Sequence, residues 1–398
     1  MHGHPRLAIC VLFFANGAGS ASWASRLPEI RVGLDLGEGA LGLALLGATV
    51  GLFLATALTS LLVVRFGSRA LSILAGLAMS ATLPIIGWAP SFLPLAAALV
   101  AYGMTNGALD LASNVQAVGV ERRAGRSMLT GFHALFSGGA IVGAGGAALA
   151  ASWAVPVDVH LTAVAILLAL TFAVVAPSLL NDRVEATKQA AAPTRPSFSV
   201  LSRPLVGLGI LAFCVLLAEG AIFDWSAVYL STVAGATPAI AAIGLATFQG
   251  AMMMGRLSGD ALAGRIGPAM LVRGGALLAA AGLTLSLVIP DVPIVLIGLA
   301  VMGLGIASAF PLLLSAAART RGVASPTALG AITAAGYTGF LAGPPIIGFI
   351  AEPTDLRFGL AVVLACLLIA VFLAGRAPAL RHHGSDDPSA VASPISGA

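Results

Sequence analysis

The chain has 398 residues, of which 59% are hydrophobic and 9% are charged, and its formal net charge is +4. A water-soluble protein carries roughly a quarter charged residues, so this composition excludes an ordinary soluble domain. The mean hydropathy of +1.01 indicates an outer surface that faces lipid.

Apolar stretches long enough to cross a bilayer, about 20 helical residues, recur along the whole chain. The first is too long for a cleaved signal peptide, and it ends at Trp23, Arg26 and Pro28 instead of a small-residue cleavage site. We therefore predict an all-α integral membrane protein. Its twelve spans, numbered in chain order, are 6–27, 39–63, 70–89, 92–118, 128–152, 158–180, 204–232, 237–262, 268–289, 292–317, 325–350 and 356–376.

The basic residues predict the orientation of these spans. All but three of the 20 Lys and Arg residues fall on the side that carries both termini, and the exceptions are Arg26, Arg31 and Arg357. Basic residues accumulate in cytoplasmic loops, so we expect both termini in the cytoplasm and the chain in the inner membrane. The pI near 9.4 then reflects topology and predicts no nucleic-acid partner.

The longest polar stretch between spans predicts two halves. Residues 181–203 are charged and contain proline, as a cytoplasmic linker would be, so we predict six-helix bundles at 1–180 and 204–376. Residues 377–398 lack apolar periodicity and predict a disordered tail.

The three cysteines lie in different spans without metal-ligand spacing, which predicts packing roles and neither a metal nor another cofactor.

The two halves repeat each other weakly. Asn16 in NGAGSASW corresponds to Glu219 in EGAIFDW, and spans two and eight both end in a basic-glycine turn, RFGSR (65–69) and GRIGP (264–268). Such a repeat in a twelve-span chain is typical of transporters whose substrate site lies at the midplane between the halves.

These turns resemble the loop signature of the major facilitator superfamily. Arg65, Gly67 and Arg69 match it in the first copy, while the second has Gly264, Arg265 and Gly267 after a displaced acid, Asp260. The stretches FFANGAGSASWASRLPEI, EGAIFDWSAVYL and GYTGFLAGPPIIG resemble the MosC-like branch of that superfamily. The resemblance implies two pseudo-symmetric bundles and a secondary transporter, with Arg65, Arg69 and Arg265 in gating or structural roles.

Polar residues from five spans lie at one depth. A helix rises about 1.5 Å per residue, so the middle of each span marks the bilayer centre. The residues near that depth are Asn16, Asn106, Glu219, Gln249 and Tyr337. We predict that they surround a central cavity and that the neutral ones bind substrate.

Span four carries Asn106, Asp110 and Asn114 at i, i+4 and i+8, along one helix face. We predict that Asp110 exchanges a proton and that the asparagines bind substrate. The alternative is interhelical hydrogen bonding, which an asparagine would provide without the cost of a buried charge. The resemblance adds that proton-coupled sugar transporters of this superfamily often place a coupling acid in span four. They often have another in span one, where this chain has Asn16.

Glu219 and Asp224 interrupt the apolar run of span seven. They lie five residues apart, about 140° around the helix axis, so we expect neither a shared face nor a close pair. Glu219, at the midplane, is the second predicted proton-coupling residue. Asp224 serves substrate binding, an outer gate or a structural hydrogen bond.

Further polar and aromatic residues have two interpretations each. Arg256 and Asp260, at i and i+4, predict an ion pair in a cytoplasmic latch, and Arg26 with Glu29 forms an outer gate pair or lies among headgroups. His133 relays a proton or is structural.

Trp23 and Trp225 stack on a ligand or belong to an interfacial belt. Met252, Met253 and Met254 pack, or one of them lines the cavity.

No phosphate-binding GxxxxGK[ST], HExxH, CxxC or nucleophile elbow occurs in the chain, so we expect no ATP-driven pump and no enzyme. The leading interpretation is a proton-coupled secondary transporter of a small polar solute, sugar-like or an amine, acting as a monomer. The alternatives are a multidrug or metabolite efflux antiporter, which the few expected cavity aromatics disfavour, and a non-transporting ligand sensor.

Overall fold

The computed structural model describes residues 4–125, 128–181, 203–320, 323, 325–377 and 380. Within these residues all regular elements are helical, and twelve candidate spans confirm the all-α membrane architecture. The predicted linker and tail fall almost entirely outside the described residues, as do Arg126 and Arg183, which contributed to the predicted orientation. Those segments stay predictions.

The helices alternate in direction and are joined by short connections. Spans one and ten each consist of two consecutive helices, and span six ends in a 3₁₀ turn. The helices are Pro5–Ala24 and Leu27–Gly33 (span one), Glu38–Phe66 (two), Ser68–Gly87 (three), Phe92–Ala124 (four), Leu129–Ser152 (five), Val157–Val175 (six), Arg203–Thr232 (seven), Pro238–Ile266 (eight), Pro268–Val288 (nine), Val292–Ile306 and Ala309–Ala318 (ten), Ser325–Ala351 (eleven) and Leu356–Ala374 (twelve).

Proline and glycine mark several helix boundaries. Pro5, Pro238 and Pro268 open spans one, eight and nine, where the ring's fixed φ suits a helix start and the missing N–H leaves no bond unmade. In span eleven, by contrast, Pro344 and Pro345 lie within a helix that continues to Ala351.

Matching glycine turns confirm the internal repeat. Gly67 joins spans two and three with φ 84° and ψ 156°, and Gly267 joins spans eight and nine with φ 82° and ψ 151°. A side chain is strongly disfavoured in this region of backbone space, so only glycine makes this turn without strain. The two halves therefore share this geometry as well as the sequence pattern.

The spans pack as two six-helix bundles in contact along two seams. In the first bundle, span four packs on spans two and three, and span one on span five; in the second, span seven packs on spans eleven and twelve, and span ten on spans eight and nine. Span five contacts span eight, and span two contacts span eleven, across the bundles. These two seams lie on either side of a space between the bundles.

The two ends of the helical bundles carry different helix termini. The terminal face is the end at which the first described helix begins and span twelve ends; it carries Pro5, Gly67, Leu129, Gly267 and Ala374. The distal face is the opposite end; it carries Gly33, Glu38, Ser152, Pro238 and Ala351.

Reciprocal glycine contacts hold span one against span five. A Cβ on Gly17 would overlap the Phe136 carbonyl, and one on Gly139 would overlap the Phe14 carbonyl. Small residues let helix backbones approach closely inside a membrane, where no hydrophobic force drives helices together.

Replacing Gly139 with valine is therefore expected to destabilise the first bundle by about 3 kcal/mol or more, because the colliding atoms are backbone and have no rotamer to change. Gly145→Val is the matched control, since a Cβ at Gly145 meets nothing within 4 Å. Thermal unfolding of the detergent-purified variants should show a large loss for Gly139→Val and a change within about 0.5 kcal/mol for the control. Equal melting temperatures for the two variants would contradict this account of the packing.

Candidate functional site

A central cavity of about 220 Å³ lies between the two bundles. It draws its walls from seven spans, and both bundles supply polar side chains. Its lining residues are Ser20, Trp23, Leu45, Ala48, Thr49, Leu52, Tyr102, Gly103, Asn106, Phe136, Glu219, Gly220, Phe223, Asp224, Gln249 and Phe340. The space is about that of a small organic molecule.

Five residues predicted from the sequence reach this cavity. They are Trp23, Asn106, Glu219, Asp224 and Gln249, from spans one, four, seven and eight. The structure therefore brings side chains that are distant in sequence to one place. Their roles in coupling and binding stay predictions.

Four other predicted residues lie outside the cavity lining. Asn16 is buried within the protein and is 3% exposed. Asp110 lies one helical turn beyond Asn106, and Asn114 donates from Nδ2 to the Asp110 backbone carbonyl at 2.9 Å. Tyr337 packs edge-on against Phe53, with ring centroids 6.4 Å apart.

An ionic network joins the two bundles next to the cavity. Arg256 Nη2 lies 3.1 Å from Glu219 Oε1, and Arg256 Nη1 donates to Ser137 Oγ at 3.0 Å. The Ser137 hydroxyl in turn donates to Gln249 Oε1 at 3.1 Å. Ser137 belongs to span five and the other three residues to the second bundle, so the network bridges the seam between spans five and eight.

The predicted pairing of Arg256 with Asp260 was wrong. Arg256 points along the helix toward span seven, where Glu219 supplies its carboxylate, and Asp260 is exposed one turn nearer the terminal face. The partner of the guanidinium is thus a carboxylate on another helix, although Asp260 lies only four residues away. The side chains of Arg256 and Glu219 are 17% and 19% exposed.

Glu219 and Asp224 differ by about 140° around the axis of span seven, yet both reach the same cavity. Both line the central cavity, together with Gly220 and Phe223 between them. The cavity wall covers a broad sector of span seven, so residues about 140° apart border its two edges. As expected, they do not form a pair, because Glu219 is bonded to Arg256.

A second space opens toward the terminal face. This terminal-face cavity, of about 350 Å³, lies between spans five, seven, eight and ten, and its polar lining includes His133, Glu219, Arg256, Asp260 and Ser308. Glu219 borders both cavities. The His133 ring also packs edge-on against Phe13, at 5.1 Å between centroids.

Spans two and eleven are in close contact at the distal face. The Gly39 backbone N–H donates to Glu352 Oε2 at 2.6 Å, in the first turn of the span-two helix. A Cβ on Gly42 would overlap the Pro344 carbonyl, which shows how closely the two backbones approach. A carboxylate at a helix N-terminus is stabilised by the helix dipole and by unpaired N–H groups.

Two further ion pairs lie at the distal end of span one. Arg26 Nε lies 2.8 Å from Glu29 Oε1, and Arg26 Nη2 donates to the Val155 carbonyl at 2.8 Å. Arg26 is 3% exposed, so it packs within the protein and does not lie among headgroups. Arg31 forms the second pair, with Glu38, at 2.8 Å.

The remaining predicted gating residues lie at the terminal face. Arg65 stands over the Phe66 ring, 5.4 Å from its centroid, and it is exposed like Asp260 and Arg265. Arg69, in the first turn of span three, is half-buried. Their predicted gating roles stay predictions.

The tryptophan and methionine residues of span seven and span eight differ in burial. Trp225 and Met252 are fully buried in the core, so both pack, and Trp225 does not face the cavity. Met254 is exposed on the lipid-facing side.

Sequence reasoning found Trp23 but missed the four other aromatic residues of the cavity. Tyr102 hydrogen-bonds Ser20, with 2.6 Å between the two hydroxyl oxygens, and packs edge-on against Trp23 at 5.3 Å. Extending the stripe of span four one turn outward, from Asn106 to position 102, would have found Tyr102. Phe136, Phe223 and Phe340 carry no comparable signal, because phenylalanine is common throughout apolar spans.

The Major Facilitator Superfamily model matches residues 9–322. An uncharacterized MFS-type transporter of Yersinia pestis is 36% identical over 367 residues, which cover 92% of this chain and 93% of that protein. The membrane protein MosC of Rhizobium meliloti is 31% identical over 385 residues, which cover 96% of this chain and 91% of MosC.

Solved structures share the fold. A crystal structure of the nucleoside transporter NupG superposes with a TM-score of 0.77 at 14% identity, covering 94% of this chain and all of that one. The Escherichia coli fucose:proton symporter FucP gives 0.62 at 18% identity, covering 93% of this chain and 97% of FucP.

Proposed function

Because the chain belongs to the Major Facilitator Superfamily, we propose that it is a proton-coupled secondary transporter of a small polar solute, sugar-like or an amine. It works as a monomer in the inner membrane by alternating access, with the terminal face in the cytoplasm. The excess of basic residues at that face supports this orientation.

The observation that carries the proposal is the position of the central cavity. Its walls come from both bundles, so a change in the angle between the bundles alters every part of it at once. Its lining combines two carboxylates and two amides with apolar walls. That composition suits a ligand with a few polar groups on a compact body.

The seams between the bundles support alternating access. The Gly39–Glu352 contact closes the distal face, while the terminal-face cavity separates spans five and ten. This arrangement corresponds to a state that receives or releases solute on the cytoplasmic side. Opening the other way requires spans two and eleven to separate at the distal face.

Glu219 is the favoured coupling residue because it borders both cavities and is bonded to Arg256. Protonation of its carboxylate would remove the negative partner of the guanidinium and weaken the link through Ser137 to the first bundle. The proton would thereby favour separation along that seam. Asp110, in mid-span, is the second coupling residue, since a carboxylate at that depth is costly to keep charged.

Proton-driven efflux of metabolites or drugs is the second candidate. Five aromatic side chains line the central cavity: Trp23, Tyr102, Phe136, Phe223 and Phe340. The sequence predicted few aromatic residues in the cavity, which disfavoured efflux of hydrophobic compounds. The five aromatic side chains now support that candidate.

Filling the central cavity should stop transport. A Cβ on Gly220 would press against the Phe340 ring inside the cavity, whereas one on Gly207, on the same helix, meets nothing within 4 Å. We expect Gly220→Leu to reduce solute flux to about a tenth or less, since leucine occupies the space of the ligand. Gly207→Leu, the matched control, should keep wild-type flux.

The measurement is mass spectrometry of a panel of sugars, polyols, nucleosides, amines and drugs taken up by or released from proteoliposomes. Flux of at least one solute that disappears in Gly220→Leu alone supports the proposal. Absence of protein-dependent flux for the whole panel, or equal flux in both variants, would contradict it.

A further inference from the structure

Asp224 is a carboxylate in the cavity wall without a countercharge. It lines the central cavity, and among the described residues it takes part in no ion pair. Arg256 is not the countercharge of Asp224, because its two terminal nitrogens are bonded to Ser137 and Glu219. A charged carboxylate away from water is costly unless a cation pairs with it.

The walls around this carboxylate are aromatic. Trp23, Tyr102, Phe223 and Phe340 line the same cavity. The faces of aromatic rings attract organic cations, most strongly where water is excluded. An ammonium group in this cavity would therefore find both a countercharge and ring faces.

Some neutral polar groups of the cavity already have hydrogen-bond partners. Ser20 is bonded to Tyr102, and Gln249 Oε1 accepts from Ser137. Within the described chain, Asn106 Oδ1 accepts no hydrogen bond. The Asp224 carboxylate and the Asn106 amide oxygen therefore remain as acceptors for the N–H groups of a ligand.

We propose that the central cavity selects a compact organic monocation, an ammonium carried on an apolar or aromatic body, with Asp224 as its countercharge. The inference rests on the proposed transport function and names the substrate class for the same cavity. A neutral sugar fits less well, because it would leave the Asp224 carboxylate without a countercharge. Glu219, already paired with Arg256, serves coupling and does not hold the cation.

The test compares two probes of nearly equal shape, benzylammonium and benzyl alcohol, by isothermal titration of the purified full-length protein at neutral pH. Wild type should bind the cation about tenfold or more tightly than the alcohol, as expected for a charge-assisted hydrogen bond with ring contacts. Asp224→Asn should lose that preference, and Asp224→Glu should keep part of it.

Equal binding of the two probes by wild type, or an unchanged preference in a folded Asp224→Asn variant, would overturn the inference. Thermal unfolding of each variant establishes folding, and Asp224→Glu keeps the test decisive if the asparagine variant does not fold. The two proposals fail separately. Flux of neutral solutes without a preference for the cation would refute only the cation site, whereas selective binding without any flux would refute only transport.

Discussion

Glu219→Gln is expected to lower solute flux at least about tenfold and to uncouple any remaining flux from protons. The change keeps the shape of the side chain and removes the charge that holds Arg256 Nη2 at 3.1 Å. A hydrogen bond between charged groups contributes about 1.5–3 kcal/mol, and each 1.4 kcal/mol corresponds to a factor of ten in an equilibrium. Because Arg256 also holds Ser137, losing that bond alters the seam between the bundles as well as the cavity.

Three further variants separate the ion pair from its parts. Arg256→Gln should lower flux as strongly as Glu219→Gln, while Ser137→Ala, which removes only the end of the network, should have a smaller effect. The double variant Glu219→Gln with Arg256→Gln should be more stable to heat than the sum of the single losses predicts, because neither charge is left without its partner. Additive losses in stability, or full coupled flux in Glu219→Gln, would show that the pair has no coupling role.

Glu352→Gln is expected to open the distal face. The neutral amide keeps an oxygen beside the Gly39 N–H but loses the attraction of a charge to the start of the span-two helix. That attraction contributes about 0.3–2 kcal/mol at a helix N-terminus, so the open population should rise about twofold to thirtyfold. Glu352→Ala, which removes the oxygen as well, should have the larger effect.

Access to a cysteine at position 20 would measure this opening. Ser20 lines the central cavity, and Ser20→Cys is nearly isosteric, in a background with Cys10, Cys214 and Cys366 replaced by alanine. A membrane-impermeant maleimide added outside intact cells should label it faster in the Glu352 variants.

Glu38→Gln is the matched control, since it breaks an ion pair at the same face but with Arg31 of the same bundle. Equal labelling rates in the control and in both Glu352 variants would contradict a role for Glu352 in closing the distal face.

The fold could be predicted because its causes are local or compositional. The bilayer itself determines the length of the spans, the low charge and the placement of basic residues at alternate loops. The glycines at 67 and 267 mark a turn that other residues make only with strain. Depth along a helix likewise follows from residue counting, so Asn106, Glu219 and Gln249 were placed near the cavity correctly.

The rest of the site depends on rotation and on distant contacts, which counting along a helix does not supply. Arg256 pairs with Glu219 and not with Asp260, which is nearer in sequence. Glu219 and Asp224 both line the central cavity because its wall covers a broad sector of span seven. No local sequence pattern marks Glu352, since its partner is a backbone N–H more than 300 positions earlier. Such a contact exists only once the two bundles are assembled.

Proton movement across a membrane tests the central claim most directly. Proteoliposomes with an internal pH reporter would receive the solute panel, and wild type would be compared with Asp110→Asn and Glu219→Gln. We expect a solute-dependent change of internal pH that disappears in both the Glu219 variant and the Asp110 variant. Solute flux without any proton movement, equal in all three proteins, would contradict proton coupling and leave both carboxylates with structural roles.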